Sequence, residues 1–244
     1  MQTGYVTDIG KVRKINEDSC ATNNAGDFPY IIVADGMGGH EAGEVASQMA
    51  IDVIENHLRH NLNNDMTYAQ VSETIRQAFL SANSIIFNYS KNHYKIMGMG
   101  TTTTLAMVYK DCLITAHVGD SRAYKITPDG ISQITRDHSY VQELVSRGEI
   151  SPEAAKNHPK RNFITRAMGT EDVVKVDMAT KDYEGETIIL CSDGLTNYVD
   201  DTEIFEKITG GQSLNDSLRE LVDLANSRGG RDNITIVGLE SERG

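Results

Sequence analysis

Four aspartates in this chain share a placement that ordinary folding does not require. Asp35 closes the apolar run Tyr30 to Ala34, Asp120 follows Cys112 to Val118, Asp193 follows Thr187 to Ser192, and Asp232 stands just ahead of Asn233 to Leu239. Each is flanked by glycine, as in Asp35-Gly36, Gly119-Asp120, Asp193-Gly194 and Gly229-Gly230-Arg231-Asp232. A carboxylate at the mouth of a buried strand is costly unless it is paired or holds a cation. Glycine lets backbone approach closely and frees a carbonyl to act as an oxygen ligand. Acids and carbonyls, without paired His or Cys nearby, describe an all-oxygen site. Such a site suits hard divalent cations, Mg²⁺ or Mn²⁺, and not zinc. Any one of these aspartates alone reads as well as a turn residue or a helix cap. Four with the same placement do not.

The elements that must position them follow from hydrophobic periodicity. Gly4 to Gly10 reads as an opening strand, leading into a polar loop, residues 11–19, with the adjacent acids Glu17 and Asp18. A helix is expected from about Gly43 to His60, with Val45, Met49, Val53 and Leu58 (beside Ala46, Ala50 and Ile54) on one face. A second runs from about Thr67 to Asn92, with Val71, Ile75, Ala78, Phe79, Ala82, Ile86 and Tyr89 inward. Strands are expected over 101–109, 112–118, 122–126 and 131–134, joined by turns too short for parallel crossovers, hence an antiparallel meander. A polar helical stretch over about 138–157 is broken by Gly148, and Pro152, Pro159 and Lys160-Arg161 mark an excursion off the core. A last helix, about Leu214 to Asn226, carries a Leu214, Leu218, Leu221, Val222 and Ala225 stripe. Helices at both ends of a strand-rich middle predict helices packed outside antiparallel sheets, in one domain spanning 1–244.

The chain has 244 residues with 35 acids against 23 bases, a net charge of −12. That balance repels phosphate backbones and argues against nucleic acid and anionic membranes. No apolar run reaches the ~20 residues of a membrane span, and no secretory signal is visible, so a cytoplasmic protein is expected. Cys20, Cys112 and Cys191 are far apart and read as reduced thiols, not a disulfide frame or a zinc site. Acids drawn from distant segments exclude an EF-hand loop and match the way two-metal phosphatases and nucleases gather theirs.

An ordered set of segments then carries a resemblance. Gly10-Lys11-Val12-Arg13 with Asn16-Glu17-Asp18, Asp35-Gly36-Met37-Gly38-Gly39-His40, Met99-Gly100-Thr101-Thr102 and Val118-Gly119-Asp120-Ser121-Arg122 come first. Asp137-His138-Ser139, Ile164 to Gly169, Cys191-Ser192-Asp193-Gly194-Leu195 and Gly229 to Thr235 follow. Together they resemble the bacterial metal-dependent serine/threonine protein phosphatases of the type 2C (PPM) family. The resemblance implies an α+β fold, a four-layer αββα sandwich of two antiparallel β-sheets flanked by pairs of helices. It also implies hydrolysis of phosphoserine and phosphothreonine in proteins at a binuclear Mn²⁺ or Mg²⁺ centre that activates a bridging water.

By the same resemblance Asp35 bridges the two ions, the Gly36 carbonyl ligates one, and Asp193 and Asp232 complete the set. Asp120, with Asp193, matches a third metal position, while Glu17 and Asp18 match outer acids that hold metal-bound waters. Arg13 matches the residue that grips the substrate phosphate, for which a guanidinium is well shaped; its plainer reading is a surface arginine pairing with Glu17. His40 either donates a proton to the leaving oxygen or caps the helix beginning near Glu41. Met37 stands where animal relatives carry a histidine, so the general-acid role does not transfer directly. His117 reads as a satisfied core residue. The excursion over about 139–165 matches a flap over the site, and its Lys160-Arg161 either steers a phosphopeptide or is solvated charge. A cognate Ser/Thr kinase is the implied counterpart, and monomer is the default state. Competing readings are a non-catalytic regulatory module of the same fold, or another two-metal phosphoesterase.

Overall fold

The computed structural model describes residues 1–39 and 42–241. Its centre is β3 (Tyr30–Met37), whose residues Tyr30 to Ala34 are all buried. An unbroken apolar run of this kind needs cover on both faces. On one side β3 pairs antiparallel with β2 (Asp18–Asn23), on the other with β4 (Gly100–Thr101) and β5 (Thr103–Tyr109). Then come β6 (Cys112–Val118) and β9 (Asp177–Asp182), giving a six-stranded antiparallel sheet. The second sheet runs β1 (Gln2–Asp8), β11 (Ile234–Glu240), β10 (Thr187–Cys191), β7 (Arg122–Thr127) and β8 (Gly130–Gln133), also antiparallel.

Between the sheets lies a core of Ile31, Val33, Ala106, Val108, Ala123, Ile188, Leu190, Val237 and Leu239. These are alternate residues of facing strands, as the two-residue period requires. Outside the six-stranded sheet pack α1 (Ala42–Asn61) and α2 (Tyr68–Asn92). The face α1 buries is Ala46, Ala50, Ile51, Ile54 and Leu58, with Val45, Met49 and Val53 only partly covered. On α2, Val71 to Ile86 are buried as the stripe predicts, whereas Tyr89 is exposed. Thr67 starts α2 with a full capping box to Gln70. Outside the five-stranded sheet, α7 (Leu214–Ser227) buries the whole expected stripe, alongside α6 (Asp201–Thr209). The layers are therefore helices, sheet, sheet, helices, as the resemblance implied.

The meander does not hold through the middle. β6 and β7 lie in different sheets, and the chain passes between them at Gly119-Asp120-Ser121. A tight turn within one sheet and a tight step between two packed sheets look alike in sequence. The difference matters, because the step carries Asp120 to the common end of both sheets. The excursion also has structure: α3 (Tyr140–Ser146) and α4 (Pro152–Lys156). Its two ends are pinned together by a bridge between Ser139 and Ile164 and by the Tyr140 amide donating to the Phe163 carbonyl at 2.8 Å. None of the described helices is long and apolar enough to cross a membrane.

Candidate metal centre

The acids gather at one end of the sandwich, and the sheets place them. Asp18 opens β2 in direct register with Asp35 on β3. Like charges opposite one another in a ladder repel, so this pairing is a cost that packing does not explain. Asp18 is buried and accepts a 2.8 Å hydrogen bond from Ser192 Oγ of the other sheet. Asp18, expected in a polar loop, is instead a strand residue that links the sheets. Asp193 begins the short helix α5 (Asp193–Thr196), where Asn197 Nδ2 donates to its Oδ2 at 3.0 Å. Asp120 occupies the step between sheets. Asp232, half exposed, precedes β11 and accepts from the Asn233 amide at 2.9 Å.

Two glycine contacts weld these segments. A Cβ on Gly194 would stand 1.9 Å from the Asn233 carbonyl oxygen, and one on Gly36 would stand 2.1 Å from that of Gly43. Neither position has room for a side chain, so the Asp193 and Asp232 segments, and the Asp35 strand and α1, approach at backbone distance. Asn233 is a positioning residue that sequence reasoning passed over. Its Oδ1 accepts from the Glu17 amide at 2.8 Å, and its Nδ2 donates to the Ile9 and Ile15 carbonyls at 3.0 Å each. The only signal was its place directly after Asp232. Through it, the loop bearing Arg13 hangs on the start of β11.

Electrostatics show which kind of ligand this cluster fits. Burial pushes Asp35 well above the ordinary carboxylate range, and the charges of Asp18, Asp193, Asp120 and Asp232 push it further. Asp18 is raised by burial against hydrogen bonds from Thr235 and Ser192. Asp120 is raised by burial and by Asp193, and Asp193 by burial and by Asp232. Burial also raises Glu17 against the pull of Arg13. Glu17 Oε1 lies buried against the backbone of Gly43. Desolvated carboxylates that repel one another are stabilised by a divalent cation, which reverses every one of these shifts. The donor set is all oxygen, so the residues present fit Mg²⁺ or Mn²⁺. Among the described residues, the side chains do not close into a ready-made shell of three ligands. What the fold supplies is convergence.

Arg13 reaches across this end, with Nη1 3.3 Å from Glu17 Oε2 and Nη2 2.9 Å from the Asp232 carboxylate. Its side chain stays 44% exposed. His40 lies outside the described residues. From Asp120 and Asp193 a cleft of about 890 Å³ runs between the α3–α4 excursion and α6, lined by Val141, Lys156, Arg161 and Asp201 among others. Lys160 and Arg161 part company here: Lys160 sits over the Tyr140 and Phe163 rings, while Arg161 faces the cleft. Behind Asp120, His117 and His138 lie with ring centres 4.7 Å apart.

Two sheets packed face to face, helices outside both, and acids converging where the strands end define a phosphatase of the PPM type. The model of the family described as protein phosphatase 2C matches residues 11–235. The serine/threonine phosphatase stp of Listeria welshimeri is 39% identical over 242 residues, covering 98% of this chain and 96% of that protein. The crystal structure of the Staphylococcus aureus serine/threonine phosphatase Stp1 superposes with a TM-score of 0.92 at 36% identity, over 99% of this chain and 95% of that one. The catalytic domain of the serine/threonine protein phosphatase PstP, solved in complex with two manganese ions, gives a TM-score of 0.83 at 34% identity over 98% and 97% of the two chains. The chain belongs to the protein phosphatase 2C family and is a bacterial serine/threonine protein phosphatase.

Proposed function

We propose that the acid cluster is a binuclear Mn²⁺ or Mg²⁺ centre that hydrolyses phosphoserine and phosphothreonine in proteins. The observation that carries this reading is the set of desolvated, mutually repelling carboxylates at one end of the sandwich, Asp18 buried and Asp35, Asp120 and Asp193 partly so. Asp35, the Gly36 carbonyl, Asp193 and Asp232 would hold the two ions. Asp120 with Asp193 would hold a third, and Glu17 and Asp18 would serve from the margin through water. Bound there, such ions lower the pKa of water toward neutrality and neutralise charge on the phosphoryl group.

The remaining steps belong to side chains. Arg13, held between Glu17 and Asp232, offers two N–H groups to the phosphate oxygens in a geometry that lysine cannot match. His40 would either donate a proton to the leaving oxygen or serve as a helix cap. The cleft under the flap, over about 139–165, takes the peptide on either side of the phosphorylated residue. The whole chain acts as one catalytic unit, a cytoplasmic monomer that reverses the work of a cognate serine/threonine kinase. The intact acids disfavour a non-catalytic module, and the net charge of −12 disfavours a nuclease.

A phosphothreonine peptide assayed with Mn²⁺ and again with excess chelator tests the centre. Release of phosphate only with Mn²⁺ is expected; equal rates would overturn the metal assignment. Gel filtration tests the monomer.

A further inference from the structure

The run Thr101-Thr102-Thr103-Thr104 is buried throughout, and one of its hydroxyls is bonded in a way that a plain strand does not need. Where residues of an antiparallel pair face each other in hydrogen-bonding positions, they exchange two backbone bonds. Between Asp35 and Thr102 only one is present, the Thr102 amide donating to the Asp35 carbonyl at 2.9 Å. In place of the other, the Asp35 amide donates to the Thr102 hydroxyl at 3.2 Å. The Thr102 carbonyl is instead taken by the hydroxyls of Thr101 and Thr103, at 2.7 and 2.6 Å.

The same Thr102 Oγ1 lies 2.7 Å from Ser121 Oγ, the residue after Asp120. Both side chains are buried, so neither hydroxyl has water as an alternative partner. Packing closes the link from the other side. Gly119 has φ +117°, and a Cβ there would stand 2.4 Å from the Thr102 Cβ. Thr102 thus touches the backbone of one acid and both neighbours of another, although the first lies on β3 and the second in the step between the sheets.

We propose that Thr102 is a positioning residue whose hydroxyl, shared between the Asp35 amide and Ser121, locks the Asp120 turn to the Asp35 strand so that the two carboxylates move as one unit. The kinetic consequence rests on the reading of the acids as the catalytic centre. The mechanical coupling does not, because it is a property of the protein alone.

Amide hydrogen exchange on the whole metal-free protein measures the coupling directly. Thr102→Val keeps the side-chain shape and removes the hydroxyl. Exchange should rise about tenfold both at Asp35 and over Gly119 to Arg122, the scale of one lost buried hydrogen bond. Thr102→Ser should restore both. Ser121→Ala is the second probe: it touches nothing of Asp35, yet exchange at the Asp35 amide should rise several-fold. A wild-type rate at Asp35 in Ser121→Ala would overturn the proposal. Turnover of a phosphopeptide with saturating Mn²⁺ adds a readout that a merely structural role would not move. Thr102→Val should lower kcat about tenfold with KM unchanged, and should add little in an Asp120→Ala background. Factors that multiply in the double variant would remove Thr102 from the action of Asp120, whatever the exchange data give.

Discussion

Two groups of desolvated ionisable side chains meet at the Gly119–Ser121 step, the histidines on one side and the carboxylates on the other. Burial has opposite consequences for them. His117 has Thr104 Oγ1 at 2.9 Å on Nδ1 and the Arg136 carbonyl at 3.2 Å on Nε2. His138 takes the Gly119 amide on Nδ1 at 2.9 Å, with Asp177 at 3.0 Å on Nε2. Each ring nitrogen has a partner, and burial pushes His117 down to about 4, so it stays neutral and satisfied. The carboxylates keep far fewer donors and raise one another. Burial marks both groups, but only the unmatched one asks for a ligand. A cation is what that group asks for.

This contrast can be broken by substitution. The largest effect is expected at Asp35. Asp35→Asn should lower turnover with Mn²⁺ by at least about 10³-fold, in the range that removal of a central catalytic group produces. The same change should raise the melting temperature of the metal-free protein, because it deletes a repelled charge. A lower melting temperature would mean that the acids are structurally satisfied, as the histidines are. Arg13→Ala should lower kcat/KM by about 10²-fold, with Arg13→Lys recovering only part, since the planar fork is lost. Equal activity of the lysine variant and the native protein would leave Arg13 as a surface pairing residue.

On the histidine side, His117→Phe should cost about 1–3 kcal/mol in urea unfolding, because the Thr104 hydroxyl and the Arg136 carbonyl lose their partner. Turnover should stay within a few-fold; a collapse of turnover at unchanged stability would move His117 into the site. The smallest effect is on pH dependence. Carboxylates with raised folded-state pKa values bind protons more tightly folded than unfolded. Their penalty is full above the raised values and is relieved as pH falls through them. The metal-free protein should therefore gain a few degrees of melting temperature between about pH 8 and about pH 6, relative to the Mn²⁺-saturated protein. The histidines are common to both forms, so the difference isolates the acids.

Much of the scaffold was legible because periodicity reports burial. The α7 stripe was read residue for residue, and most of α2 with it, since one face of each is apolar. The segments missed are those with little to bury. β2 (Asp-Ser-Cys-Ala-Thr-Asn) and β9 (Asp-Met-Ala-Thr-Lys-Asp) are edge strands without an apolar run. α6 buries only Ile204 and Ile208. The acids at strand ends stood out in the sequence, because a charge beside an apolar run is itself a signal. The direct facing of Asp18 and Asp35, the clamp at Asn233 and the hydroxyl of Thr102 did not. Each is a matter of register or of tertiary contact, and the residue types involved are ordinary ones in turns and strands.

The position of β11 has a mechanical consequence. It lies between β1 and β10 and so joins segments from distant parts of the sequence in one sheet. Asp232 stands at its head, and Asn233 holds the Arg13 loop from the same strand. Loosening β11 alone would free the β1 edge, Asp232 and the Arg13 loop together. A single strand therefore sets how far Arg13 stands from that acid.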